Sequence, residues 1–306
     1  MKPVSAAFCG ILIISLSARC AREIQIDLPE EPEKIVAISH FTEGEPIRAR
    51  LTLSRPAYSS GQPEIVEEAS VAVFRDGALL EPLSYDKNLK YWQGTVPAEP
   101  GAEYKLVVQA DGLPDISGES HIPEFIPLSP IQINWENIRI VGWDSVRQAL
   151  RVPIELRPQF LPAQDRFFAF ALRHEIEVFK MVNGQPVPDY FYEGSSAFLT
   201  DGATLALLHS IPEPVVLIDE KYWTADRRVI RLEALVPFNP DNEKPRRILI
   251  EWRTLSGEFY RYHLSLARQG NNQPLSDPDA VYNNIEGGYG NFSGYSFDID
   301  ALDLQF

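Results

Sequence analysis

The sequence predicts a mainly β protein made of two β-sandwich-like domains, the first immunoglobulin-like, the second larger and carrying one amphipathic helix near its C-terminus. Three features predict this. Between residues 34 and 122, short segments with apolar residues on every second position recur between turn signals. A proline-marked passage then interrupts the rhythm, and longer apolar segments follow it. One window alone, 256–269, places its apolar residues at helical spacing.

Residues 1–19 read as an export signal. The apolar run Ala6 to Leu16 follows Lys2 and is far shorter than the roughly 20 residues needed to span a bilayer, so it is expected to be cleaved. Cys20 lies just beyond a small-residue stretch and is the expected lipidation site, from which residues 20–32 form a tether. Two or three acyl chains at about 0.8 kcal/mol per buried methylene suffice to hold a domain at a membrane. Arg19 departs from the small residue usual before a modified cysteine, and cleavage after Ser15-Leu16-Ser17 is the competing reading. Cys9 falls inside the signal, so a protein starting at Cys20 has no cysteine pair for a disulfide.

The first domain is expected over 33–123. In Ile47-Arg48-Ala49-Arg50-Leu51-Thr52-Leu53 the apolar residues share one strand face and the arginines and threonine the other. Further strands are read at 34–39, 69–75, 91–96 and 103–110, with Asp76-Gly77 and Pro100-Gly101 supplying turns. Residues 124–130, with Pro127 and Pro130, form an extended connector, since proline fixes φ and donates no ladder hydrogen bond.

The second domain is expected over 131–306, with strands at 131–141, 150–157, 167–181, 203–209, 229–236 and 246–253. The start of 167–181 is apolar on both faces, which predicts a central strand covered on both sides. Phe259, Tyr262, His263 and Leu266 form the stripe of the helix 256–269, with Ser256 as N-cap and Gly270 at its C-terminal turn. The run Asn284 to Ser296 interleaves Gly287, Gly288, Gly290 and Gly294 with aromatics, implying tightly turned backbone pressed against rings before a final strand.

Charge and motif content exclude several functions. Removing Lys2 and Arg19 from the 28 basic residues leaves 26 against 43 acidic, a formal charge of −17, which argues against nucleic acid or an anionic lipid surface as partner. The five histidines, His40, His121, His174, His209 and His263, are scattered singly, so neither a metal nor a cofactor is expected, and His263 reads as a packing residue. There is no Gly-x-Ser-x-Gly elbow and no phosphate-cradling loop. Asp277 and Asp279 offer calcium ligands without the twelve-residue loop pattern, and a solvated loop is the competing reading. Asp298 with Asp300, or Asp219 with Glu220, would serve glycoside hydrolysis only if set across a cleft. Tyr190, Phe191, Tyr192, Tyr222 and Trp223 lie in segments without strand rhythm; exposed, they would form a platform for a sugar or peptide, and buried, they are core.

Taken in order, the opening Cys20-Ala21-Arg22-Glu23-Ile24-Gln25-Ile26-Asp27-Leu28-Pro29, Gly44-Glu45-Pro46 before a strand, the helix 256–269 and the glycine-aromatic run 284–296 resemble the Bacteroidota outer-membrane lipoproteins catalogued as domain of unknown function 4249. The resemblance implies an outer-membrane, lipid-anchored protein on the periplasmic or cell-surface face. It also implies a non-enzymatic accessory or ligand-handling role beside an outer-membrane β-barrel receptor for active transport. A glycan hydrolase with paired carboxylates, or a structural subunit of an outer-membrane complex, are the alternatives.

Overall fold

The computed structural model describes residues 32–56, 59, 61–157, 166–194, 196–199, 207–208, 215–220, 229–270 and 280–304. The expectation of a mainly β fold with one helix near the C-terminus holds over these residues. No helix among them is long and apolar enough to cross a membrane.

The first sandwich contains β1 (Ile35–Thr42), β2 (Pro46–Leu53), β3 (Ser70–Arg75), β4 (Ala78–Pro82), β5 (Ser84–Asp86), β6 (Tyr91–Pro97), β7 (Glu103–Gln109) and β8 (Ile116–His121). One layer runs β1-β2-β6-β5 and the facing layer β8-β7-β3-β4. The alternation read in the sequence sorts the faces: Ile47, Ala49 and Leu51 are buried against Val71, Val73, Leu106 and Val108, while Arg48 and Arg50 are exposed. Asp76 and Gly77 take positive φ (51° and 81°), the left-handed pair that suits a two-residue hairpin turn between β3 and β4.

The second sandwich contains β9 (Gln132–Ile133), β10 (Arg139–Gly142), β11 (Gln148–Leu156), β12 (Phe167–Val182), β13 (Gln185–Gly194), β14 (Ser196–Leu199), β15 (Leu207–Leu208), β16 (Val215–Asp219), β17 (Ile230–Phe238) and β18 (Glu243–Leu255), with helix α1 (Gly257–Gly270) after them. One layer joins β10, β11, β17 and β14; the other joins β15, β16, β12 and β18. Between them lie Val152, Ile154, Phe168, Phe170, Ile218, Leu232, Ile250 and Trp252, all buried. The single strand expected at 131–141 is two short ones, β9 and β10, separated by a turn at Trp135–Asn137. Both pair with β11, and the break falls beside Pro153, which has no N–H for the ladder and only accepts from Asn134 N (3.2 Å).

Strand β12 is covered on both faces at its start, as its sequence predicts. Phe168 and Phe170 point into the core while Ala169 and Ala171 pack beneath α1 with Val215, Leu217, Leu255, Phe259 and Tyr260. Ser256 caps the helix: Phe259 N donates to its Oγ (3.3 Å) and Tyr260 N to its carbonyl (3.1 Å).

The chain's last strands bind the two sandwiches together. β19 (Ile285–Glu286) pairs with β8, and β20 (Tyr289–Asp303) serves two neighbours in turn. Its first half, Tyr289 to Tyr295, runs parallel to β1; its second half, Tyr295 to Asp303, runs antiparallel to β18. One ten-stranded sheet therefore passes through both cores. The glycine-aromatic run, read from sequence as turns ahead of a strand within the second domain, is itself largely strand, and its Ile285 and Phe292 belong to the first core. Glycine is required because backbone lies on top of it: a Cβ on Gly290 (φ +123°) would overlap the Ala37 carbonyl, and one on Gly294 the His121 carbonyl.

Candidate functional site

The side chains that distinguish this protein lie on the outer face of the long sheet, opposite the second core. Along β12 the outward positions change from Ala169 and Ala171, under the helix, to Arg173, Glu175 and Glu177. Glu175, Glu177 and Glu251 are buried carboxylates. Arginine stems cover them: Arg247 reaches Glu175 (3.6 Å), Arg246 reaches Glu177 (3.5 Å), and Arg253 and Arg173 both reach Glu251 (2.6 and 3.7 Å). Arg253 also lies over the Tyr295 ring, 5.0 Å from its centroid. The sequence signal for this ladder was the switch from apolar to charged at every second residue of 167–177.

Beyond Val178 the partner strand β18 has ended, and β12 continues with β13 as a two-stranded arm closed by Asn183-Gly184, both at positive φ (53° and 79°). Direct pairs share a face, so Glu177 with Tyr190, Phe179 with Pro188, and Met181 with Pro186 form one stripe. Its apolar members are open to solvent: Phe179 is 43%, Met181 69% and Tyr190 50% exposed. The arm's two charges, Lys180 and Asp189, pair with each other on the other face. Register equates Thr42, Tyr295, Leu255 and Phe167, which puts the arm tip at the opposite end of the sheet from the start of β1. The path between them along the strands is on the order of 70 Å.

Of the five aromatics read as a platform, Tyr190 and Phe191 do not share a face. Tyr190 and Phe191 lie in regular strand, which corrects the reading of that segment as irregular; Pro186 and Pro188 had disguised it, and they are tolerated because β13 has no further neighbour on its outer edge among the described residues. Tyr190 faces out on the arm while Phe191 packs on the second core. Tyr192, also in β13, is paired with Glu175 of β12. Tyr222 and Trp223 lie outside the described residues, as do Cys20, His209, Asp277 and Asp279.

The carboxylate pairs are placed by strand geometry. Asp298 and Asp300 alternate along β20 on one face, about 7 Å apart, on a stretch whose second edge has no partner among the described residues. Desolvation, then the neighbouring Asp298, raises the Asp300 carboxyl above its usual range. Asp298 Oδ1 also accepts from Ile299 N (2.8 Å). Inward-facing charge and a capped amide are how a free strand edge is kept from pairing. Asp219 and Glu220 are both buried where β16 ends.

His174 is fully buried in the second sandwich, and burial lowers its pKa to about 4. His263 packs in a ring cluster with His40 (4.8 Å), Phe259 (4.2 Å) and Tyr262 (5.4 Å). Burial first, then His40 and Arg253, lowers its pKa to about 2, so it is a neutral packing residue. Among the described residues no three His, Cys, Asp or Glu side chains are grouped to hold a metal.

The model of the family described as domain of unknown function, DUF4249, matches residues 21–298. The chain belongs to this family. No curated protein matches this DUF4249 chain. Among solved structures it is similar to a protein from Corynebacterium diphtheriae described as membrane anchored, at 11% identity over 75% of this chain and 55% of that one, with a TM-score of 0.22. It is also similar to BcpA, the major pilin subunit of Bacillus cereus, at 8% identity over 89% of this chain and 69% of that one, with a TM-score of 0.19. The DUF4249 chain thus spans about half the length of the first of these, and at such scores neither carries an argument.

Proposed function

We propose that this DUF4249 protein is a lipid-anchored, non-enzymatic component of the outer membrane that docks on a β-barrel receptor for active transport through the β12–β13 arm. The observation that carries this reading is the arm itself: an apolar stripe on a charge-balanced arm that projects from a strongly acidic chain, remote from the end where β1 begins. Exposed apolar stripes of this kind mark contact sites. Tethering through Cys20 confines the protein to the plane of its receptor, so the weak contact that so small a stripe can make is enough.

The test is chemical crosslinking in native membranes followed by affinity capture and mass spectrometry of the intact protein, a Phe179→Ser/Met181→Ser variant and a Cys20→Ala variant. The expected result is recovery of a large β-barrel with the parent chain, sharply reduced by either change. Undiminished recovery with the arm variant would sink the docking role, and absence of an acyl group on Cys20 would sink the anchor.

A further inference from the structure

We propose that a cavity on the outer face of β1 and β2 binds an α-amino acid with an apolar side chain. The cavity measures about 350 Å³ and is floored by Ile38, His40, Thr42 and Pro46. That volume lies at the lower end of small-molecule sites and suits one amino acid. Leu89 and Tyr91 form its wall, at the turn between β5 and β6. That wall is fixed, because Asp86 Oδ1 accepts from Asn88 N (2.8 Å) and Leu89 N (3.0 Å), and its carbonyl accepts from Lys90 N (2.8 Å).

Three observations assign the ligand's chemistry. Arg48 and Glu45 both line the cavity, and among the described residues neither makes an ion pair, with the other or with a third group. A cation and an anion that line one cavity without pairing match a carboxylate and an ammonium on one carbon. Exposed Leu89 and Tyr91 with Pro46 and Ile38 offer apolar surface for the side chain. Lastly, the hydroxyl of Thr42, a cavity-lining residue, is buried with no hydrogen-bond partner among the described residues. Such a group destabilises the protein that carries it, so it calls for an explanation, and a polar ligand at this cavity supplies one.

The site is independent of the docking arm, so its failure leaves the proposed function standing and the converse. Isothermal titration at neutral pH of the purified protein with L-phenylalanine, L-phenylalaninamide and N-acetyl-L-phenylalanine provides the test. Saturable binding of the free amino acid is expected, weakened about tenfold or more by masking either end. Arg48→Gln should erase the discrimination against the amide, and Glu45→Gln that against the acetylated form. Thr42→Val should raise the melting temperature of the free protein while weakening the ligand, a combination that a purely structural threonine does not give. No saturable binding of L-phenylalanine or L-leucine, or binding indifferent to both charge substitutions, overturns the proposal.

Discussion

Replacing Phe292 by alanine tests whether β20 makes one folding unit of two cores. The side chain is fully buried in the first core, its ring 4.6 Å from that of Phe41, while the strand that carries it continues into the second sandwich on β18. Truncating a buried phenylalanine costs about 3 to 5 kcal/mol in lost transfer energy and residual cavity. At roughly 2 to 4 °C per kcal/mol for a chain of this size, the melting temperature should fall by about 10 °C. Phe170→Ala, equally buried but in the second core, should cost the same. If β20 couples the cores, calorimetry shows one transition that both variants lower, and hydrogen exchange shows Phe292→Ala eroding protection in β12 and β18, far from the substitution. Two transitions, with β12 amides indifferent to Phe292→Ala, would refute the coupling.

Other outcomes follow from the same geometry. His174 titrates at 6.5 when unfolded and about 4 when folded, so its contribution is intact above pH 6.5 and is lost as pH falls toward 4. Between pH 7 and pH 5 that loss is about 2 kcal/mol, read as a lower urea midpoint, and His174→Leu should reduce the dependence by that share while leaving the part due to His40 and His263. Asp298→Val with Asp300→Val should leave the melting temperature nearly unchanged and produce concentration-dependent self-association in sedimentation velocity; a monomer at all concentrations would show that the edge is guarded otherwise. Phe179→Ser and Met181→Ser should each shift stability by no more than about 0.5 kcal/mol, since both side chains are exposed. A larger loss by denaturant titration would mean the stripe is packed.

The local layers of this structure were legible in the sequence because they depend on local periodicity. Ile47, Ala49 and Leu51 announce a half-buried strand, Phe168 and Ala169 a strand covered twice, and Ser256 with Phe259 and His263 a capped helix. What alternation cannot express is who pairs with whom. The parallel match of Val36 with Tyr289 joins residues at opposite ends of the chain, and the glycines that permit it look like turns until the opposing backbone is known. The candidate site was legible only in Tyr190. The arm escaped notice because two prolines masked β13, and the cavity at Thr42 because an unpartnered hydroxyl is a property of neighbours, not of sequence.

Because the closing strand lies between β1 and β18, neither sandwich can be completed by a chain that ends before residue 289. During synthesis the polypeptide stays unfinished until almost its whole length has emerged, its central seam open to water. Such delay leaves both cores open to misassembly and aggregation until the last strand arrives.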